Sequence, residues 1–192
     1  MAQTLAAGAR RSSHMTGVDI RPERPADAAA VRALVCAAFG DGDETADFVE
    51  AVRTRAKVCL AQVAVAGGAI VGQTQWCDAP LVVDGTRVKG AYLSCLCAHP
   101  ALQRRGVGSR LVRAGLERLS EDGYAAATLL GDPAYYRRFG FSSALAERIE
   151  APHRANSAGF QAIELLAGAL TGTAIRADFP AVIAPGGPRP ER

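Results

Sequence analysis

Apolar residues along the chain alternate between helical spacing and dense strand-like runs, and punctuating Gly, Pro and Asp residues divide the two. Val18 to Arg21 predicts a short strand. Pro22 and Pro25 lead into a helix from about Ala26, with Val31, Leu34, Val35 and Phe39 on one face. Gly40 and Gly42 end it. A second helix, Glu44 to Arg55, carries Phe48, Val49 and Val52. Two strands, Val58 to Ala66 and Ala69 to Cys77, flank the Gly67-Gly68 turn. Asp84-Gly85 marks a further hairpin before a strand from Arg87 to Ala98. After a loop at Gln103 to Ser109, a helix runs to about Ser120 with a stripe of Leu111, Val112, Leu116 and Leu119. Ala125 to Leu130 reads as a buried strand and Pro133 to Phe139 as a short helix stopped by Gly140. Phe141 to Leu145 and Phe160 to Leu166 read as later strands. Interleaved helices and strands without repeat or linker give a mixed α/β class and one domain, residues 18–183. Residues 1–17 read as a disordered N-terminal extension and 184–192 as a flexible Pro/Gly-rich tail.

Composition narrows the function classes. The chain has 192 residues, a one-domain length, and is 49% apolar. Alanine alone supplies 39 positions, so large core side chains are fewer than that percentage implies. Lys and Arg number 22 against 19 acids, and the excess lies in the two ends, leaving residues 18–183 neutral. A nucleic-acid binder normally carries a basic field over its domain, so that class is disfavoured. No run of 18 apolar residues is present; the best candidate, Val58 to Val71, is broken by Gln62 and the glycine pair, so no membrane span is expected. Five cysteines without a C-x-x-C pair read as reduced thiols of a cytoplasmic protein.

The segment Gln103-Arg104-Arg105-Gly106-Val107-Gly108-Ser109 carries the strongest chemical signal. It joins an apolar strand to an amphipathic helix, whose first N–H groups have no intrahelical partner. Those donors, the positive end of the helix dipole and two glycines without Cβ atoms make an anion site. Arg104 and Arg105 add charge. A dinucleotide fingerprint would need Gly or Ala where Leu111 stands, and a phosphate loop would need Gly-Lys-Ser/Thr, which is absent.

The flanking residues resemble a known family. Leu96-Cys97-Ala98-His99-Pro100, then Gln103 to Gly108, is similar to the L-x-V-x-P…Q/R-x-x-G-x-G/A segment of the GNAT superfamily of acyl-CoA-dependent N-acetyltransferases. Ala134-Tyr135-Tyr136-Arg137-Arg138-Phe139-Gly140-Phe141 resembles a second segment of that superfamily, and the spacing between them fits one helix and one strand. The run Gly131 to Tyr136 and the late Phe160 to Leu165 are similar to a bacterial subgroup of predicted N-acetyltransferases. The resemblance implies a single GNAT-like domain whose mixed central sheet splays between the strands flanking the loop helix. It implies acetyl-CoA as cosubstrate and no metal. Backbone groups of Leu96, Cys97 and Ala98 would meet the pantetheine and acetyl carbonyl. N–H groups of Arg104, Arg105, Gly106, Val107, Gly108 and Ser109 would hold the pyrophosphate. Ala98 stands where Val is usual, and Asp132 where many members carry Asn.

Acetyl transfer needs a free amine, an oxyanion donor and a proton for the departing thiolate. An N–H near Cys97 is a candidate donor, and Tyr136 matches the family's general-acid tyrosine. No carboxylate lies in Tyr92 to His99, so no base is evident there. Asp41, Asp43 and Glu44 cluster where the acceptor site of the family forms, but read more simply as a solvated helix start. Asp78, His99 and Tyr135 are weaker candidates. Cys95 and Cys97 share one face of their strand and read as small core residues. Arg137 and Arg138 read as surface charge, in a chain with 20 Arg and 2 Lys. The expected function is acetyl transfer to a primary amine of a small molecule or protein by direct attack. A non-catalytic acyl-CoA-binding or regulatory module is the alternative, and a homodimer is left open.

Overall fold

The computed structural model describes residues 17–151 and 159–183. The expected terminal extensions therefore lie outside the described residues, apart from Gly17. Strand β1 (Val18–Pro22) leads through a 3-10 turn at Pro25–Asp27 into helix α1 (Ala28–Phe39), followed by α2 (Glu44–Arg55). Strands β2 (Val58–Ala66) and β3 (Ala69–Asp78) form the expected hairpin. Then come β4 (Leu81–Val83), β5 (Thr86–Val88), β6 (Gly90–Ala98), α3 (Val107–Glu121) and β7 (Ala126–Leu130). The chain continues through α4 (Pro133–Tyr136), α5 (Ser143–Ala146), β8 (Ile149–Glu150), β9 (Phe160–Glu164) and β10 (Ile175–Ala177).

Six strands make the main sheet in the order β1-β2-β3-β6-β7-β9, and β5-β4-β10-β8 make a smaller one. All neighbours in the main sheet are antiparallel except β6 and β7. Helices α1 and α2 cover one face. There Val31, Leu34, Val35, Ala46 and Val49 bury against Val63, Cys95 and Cys97. Helix α3 covers the other face. Its stripe of Val107, Leu111, Val112 and Leu119 is buried, Leu116 is half-buried, and Trp76 lies beneath it fully enclosed. Phe39, expected on the apolar face of α1, is 43% exposed. It is the last helical residue, and Gly40 turns the chain away in a left-handed conformation.

Three expectations need correction. The strand from Arg87 to Ala98 is two strands in different sheets. Gly90 begins β6 where a Cβ would lie 2.4 Å from the Ala79 carbonyl oxygen, and only glycine allows that approach. Phe141 to Leu145 is not a strand. Ser142 makes one bridge to Ala162, then its hydroxyl accepts from the Leu145 N–H and caps α5. Phe160 to Leu166 shortens to β9. Strands β8 and β10, of two and three residues, have no periodicity long enough to read.

Candidate active site

The parallel pair β6–β7 is joined only from Gly90–Ala126 to Leu93–Leu129. Beyond Leu93 the strands diverge, so Ser94 to Ala98 have β3 on one side and no strand on the other. Ser94 stands at the irregularity where the β3–β6 register shifts. Its hydroxyl donates to the Gln75 carbonyl (3.0 Å) and accepts from the Gln75 amide (3.3 Å), which also donates to Val49 O on α2. The His99 N–H donates to Val71 O on β3. Alternation along a strand therefore turns the Cys97 N–H toward β3 and the Leu96 and Ala98 N–H groups into the splay. Of the three expected backbone contacts, the N–H groups of Leu96 and Ala98, on either side of Cys97, are the ones that face the opening. The Cys97 side chain is buried under α1 with Cys95, as a core residue.

At the top of β6, His99 Nδ1 accepts from the Ala101 N–H and starts a 3-10 turn at Pro100–Leu102. Arg104 has φ +59° and Gly106 φ +89°, a left-handed geometry that costs least for glycine. The Arg110 N–H bonds to Gly106 O as the helix begins. The N–H groups of Arg104, Gly106, Val107, Gly108 and Ser109 make no backbone hydrogen bond among the described residues. Five free donors beside a 15-residue helix dipole form an anion cradle.

Gly108 has a role that spacing did not show. A Cβ there would lie 2.9 Å from the Tyr135 hydroxyl and 3.9 Å from Leu96. Tyr135 thus lies across the first turn of α3. The repeated Tyr in Tyr135-Tyr136 was the available signal, but which ring faces α3 depends on tertiary placement. Asp132 caps α4 by accepting from the Ala134 N–H (2.8 Å), which fixes where both tyrosines project. The Tyr136 ring packs within 2.4 Å of where a Gly131 Cβ would be, and meets Phe141 edge-on at 5.9 Å. Burial is the main cause that pushes its phenol above the ordinary range, and Tyr135, Cys95 and Tyr92 add to it. The Tyr136 hydroxyl therefore holds its proton at neutral pH, and it has no hydrogen-bond partner among the described residues. Such a group keeps a proton available at neutral pH, as a weaker acid than a free phenol.

The candidate bases lie elsewhere. Asp41 accepts from the Thr45 hydroxyl, and Asp43 meets Arg32 and the Cys36 thiol, so both are engaged in the α1–α2 turn. Glu44 is exposed at the start of α2. Asp78 joins Lys57 and the Tyr124 hydroxyl at the end of β3 away from the splay. Among the described residues no cluster of three or more His, Cys, Asp or Glu could hold a metal, and no helix is long and apolar enough to cross a membrane.

This arrangement of splayed strands and donor loop has known counterparts. A family profile described as an acetyltransferase (GNAT) domain matches residues 19–144. The chain belongs to the GNAT acetyltransferase family. A GNAT relative, the uncharacterized N-acetyltransferase YhbS of Escherichia coli K12, is 32% identical over 154 residues, 80% of this chain and 90% of the relative. The crystal structure of E. coli YhbS in complex with CoA matches with a TM-score of 0.75 at 30% identity, over 85% of this chain and 89% of that one. A GNAT family acetyltransferase from Brucella melitensis in complex with acetyl-CoA matches with a TM-score of 0.62 at 31% identity, over 77% and 87%. GNAT membership makes the chain an acyltransferase of a single mixed α/β domain, as the two sequence segments implied.

Proposed function

We propose that this chain is an acetyl-CoA-dependent N-acetyltransferase that acts by direct attack of a primary amine on the thioester. The observation that carries the reading is the unpaired edge of β6 beside five free N–H donors at the start of α3. The donors would take the pyrophosphate. The edge groups of Leu96 and Ala98 would pair with the pantetheine and polarise the acetyl carbonyl. The complexes of the two relatives with CoA and acetyl-CoA support the same cosubstrate here.

The amine must arrive as the free base, which costs about 4–5 kcal/mol for an ordinary alkylammonium at pH 7. Its nitrogen bonds to the acetyl carbon, and the carbonyl electrons move onto oxygen beside the β6 N–H groups. The C–S bond then breaks with its electron pair on sulfur, and the Tyr136 hydroxyl gives that thiolate a proton. The amine loses a proton to water, from which Tyr136 is reprotonated. The acceptor is a small-molecule or protein amine, and the five free thiols support a reducing cytoplasmic setting.

Incubation with acetyl-CoA and a broad panel of primary amines, following free thiol, tests the reading. Amine-dependent thiol release with acetylated product is expected. Tight binding of acetyl-CoA without release across the panel would make the chain a binding module, and no binding would remove the cosubstrate.

A further inference from the structure

Four side chains outside the reacting groups form a continuous stack along the outer side of α3. The Arg138 guanidinium lies 4.7 Å from the centre of the Tyr135 ring. Tyr135 meets Phe139 edge-on with centres 5.5 Å apart. The Arg113 guanidinium lies 5.4 Å from the Phe139 ring. The order is cation, ring, ring, cation. One ring is anchored where the donor loop ends, because the Tyr135 hydroxyl sits against Gly108.

Neither guanidinium has a carboxylate within ion-pair distance among the described residues, nor do Arg104, Arg105, Arg110 or Arg137. Elsewhere on α3, Arg118 is paired with Asp122 at 2.9 Å. Arg113 and Arg138 are exposed, so their cost in solvation is small. An aromatic face fixes the plane of a guanidinium while leaving its N–H edge free to meet an anion, often with two bonds at once. A stack of this kind holds two charges in fixed directions that a free surface arginine would not keep.

We propose that this stack is a second anion subsite, and that its ligand is the phosphate monoester on the ribose of coenzyme A. The proposal rests on the reading of the donor loop as a pyrophosphate cradle. Coenzyme A carries both anions on one adenosine end, separated by a few bonds of the ribose. A protein that holds the first at Gly106–Ser109 brings the second within reach of a cation one ring away. Arg138 and Arg113 would thus distinguish coenzyme A from the same molecule lacking that phosphate. The roles of the arginines differ accordingly: those of the loop raise the affinity for both molecules, and those of the stack select between them.

Calorimetry with CoA and 3′-dephospho-CoA at two salt concentrations tests this, on the wild type, Arg138→Gln, Arg113→Gln, the double variant and Arg118→Gln. The wild type should prefer CoA by about tenfold, the lower end for charge-assisted hydrogen bonds because the site is exposed and screened. The double variant should reduce that preference to about twofold or less, with affinity for 3′-dephospho-CoA held within about twofold. Arg118→Gln should leave the preference intact, and high salt should narrow it in the wild type. Thermal melts confirm that these surface variants fold. Equal wild-type affinity for the two molecules overturns the subsite. So does a double variant that weakens both alike, since that would be a general field. Wild-type protein that binds neither overturns the pyrophosphate reading itself, and the subsite with it. Salt-sensitive binding of an oligonucleotide that depends on both arginines, without preference between the two coenzymes, would assign the stack to nucleic acid instead.

Discussion

The two faces of the main sheet treat polar groups in opposite ways. On the side of α3, among the described residues, five N–H groups and the outer edge of two β6 residues have no backbone partner, and six arginines have no carboxylate partner. On the side of α1 and α2, several charged groups are engaged with one another. Glu23 pairs with Arg53 at 2.6 Å, Arg21 with Asp27, Asp43 with Arg32, and Asp41 holds Thr45. Uncommitted hydrogen-bonding capacity at a surface has to be met by water or ligand, whereas paired groups fix helices in place. The contrast separates a face built to receive an anionic ligand from one built to hold its own helices.

The strongest test of the contrast fills the receiving face. Gly108→Val adds carbons where the Tyr135 hydroxyl lies 2.9 Å away, so Tyr135 must move and the first turn of α3 is covered. A displacement of about 1 Å at a reacting site costs about 100-fold, and kcat/KM should fall by at least that much. Helix α3 continues from its other buried residues, so the melting temperature should change little. Unchanged acetyl-CoA affinity in a folded variant would place the cosubstrate elsewhere.

Tyr136→Phe asks whether the same face also supplies a proton. Loss of one oxygen leaves the packing on Phe141 in place. A general acid contributes about 10²–10⁴-fold, and since a thiolate leaves readily the lower end is expected in kcat, with acetyl-CoA affinity unchanged. Turnover equal to wild type across a pH–rate profile would remove Tyr136 from the mechanism.

These residues differ in how visible they were in the sequence, for physical reasons. The donor loop is a local feature: glycines, arginines and a helix start lie within seven residues, so spacing revealed it. The hairpins and long helices were equally local. Tyr136 follows from the resemblance alone, since two adjacent tyrosines carry the same local pattern. The contact of Tyr135 with Gly108 and the stack of Arg113 on Phe139 join positions far apart in the chain, and no local pattern encodes them. The break at Lys89 has no local mark, because Arg87 to Ala98 reads as one strand. The reason for the switch is a backbone contact with Ala79. Phe141 to Leu145 misled because a capping Ser and small residues made a helical turn out of an apolar run.

The engaged face predicts a loss of stability in place of a loss of binding. The Glu23 side chain is 4% exposed and that of Arg53 24%. Glu23→Gln removes the nearer charge partner of a largely buried guanidinium and leaves it only the half-exposed Glu50 at 3.6 Å, a change that costs about 3 kcal/mol. Replacing both, as Glu23→Gln with Arg53→Met, should cost less than the single change, because no buried charge is then left alone. Chemical denaturation of the three proteins measures this. A double variant less stable than Glu23→Gln would show that the stem of Arg53 packs more than its charge pairs. Acetyl-CoA affinity should follow the wild type in both, and a matching loss of affinity would dissolve the separation between the faces.

The smallest expected effect is a pH dependence at the entrance to α1. Asp27 accepts two hydrogen bonds from Arg21, at 2.6 and 2.9 Å, and one from the Arg24 N–H. The Arg21 bonds are the main cause that holds its carboxyl down at about 2 in the folded protein, and the Arg24 N–H is the next. An unfolded carboxyl of this type titrates near 3.9. The folded pKa is depressed, so the stabilisation is present above the unfolded value and lost as pH falls through the folded one. Stability should therefore decline between about pH 4 and pH 2, and raised salt should flatten that slope only modestly because the pair is partly buried. Asp27→Asn keeps the shape but removes the titration, so the difference in stability between variant and wild type should shrink across that window. A difference that stays constant from pH 5 to pH 2 would mean that Asp27 acts through the neutral hydrogen bonds of its turn, and that the ion pair to β1 adds nothing to the hold on α1.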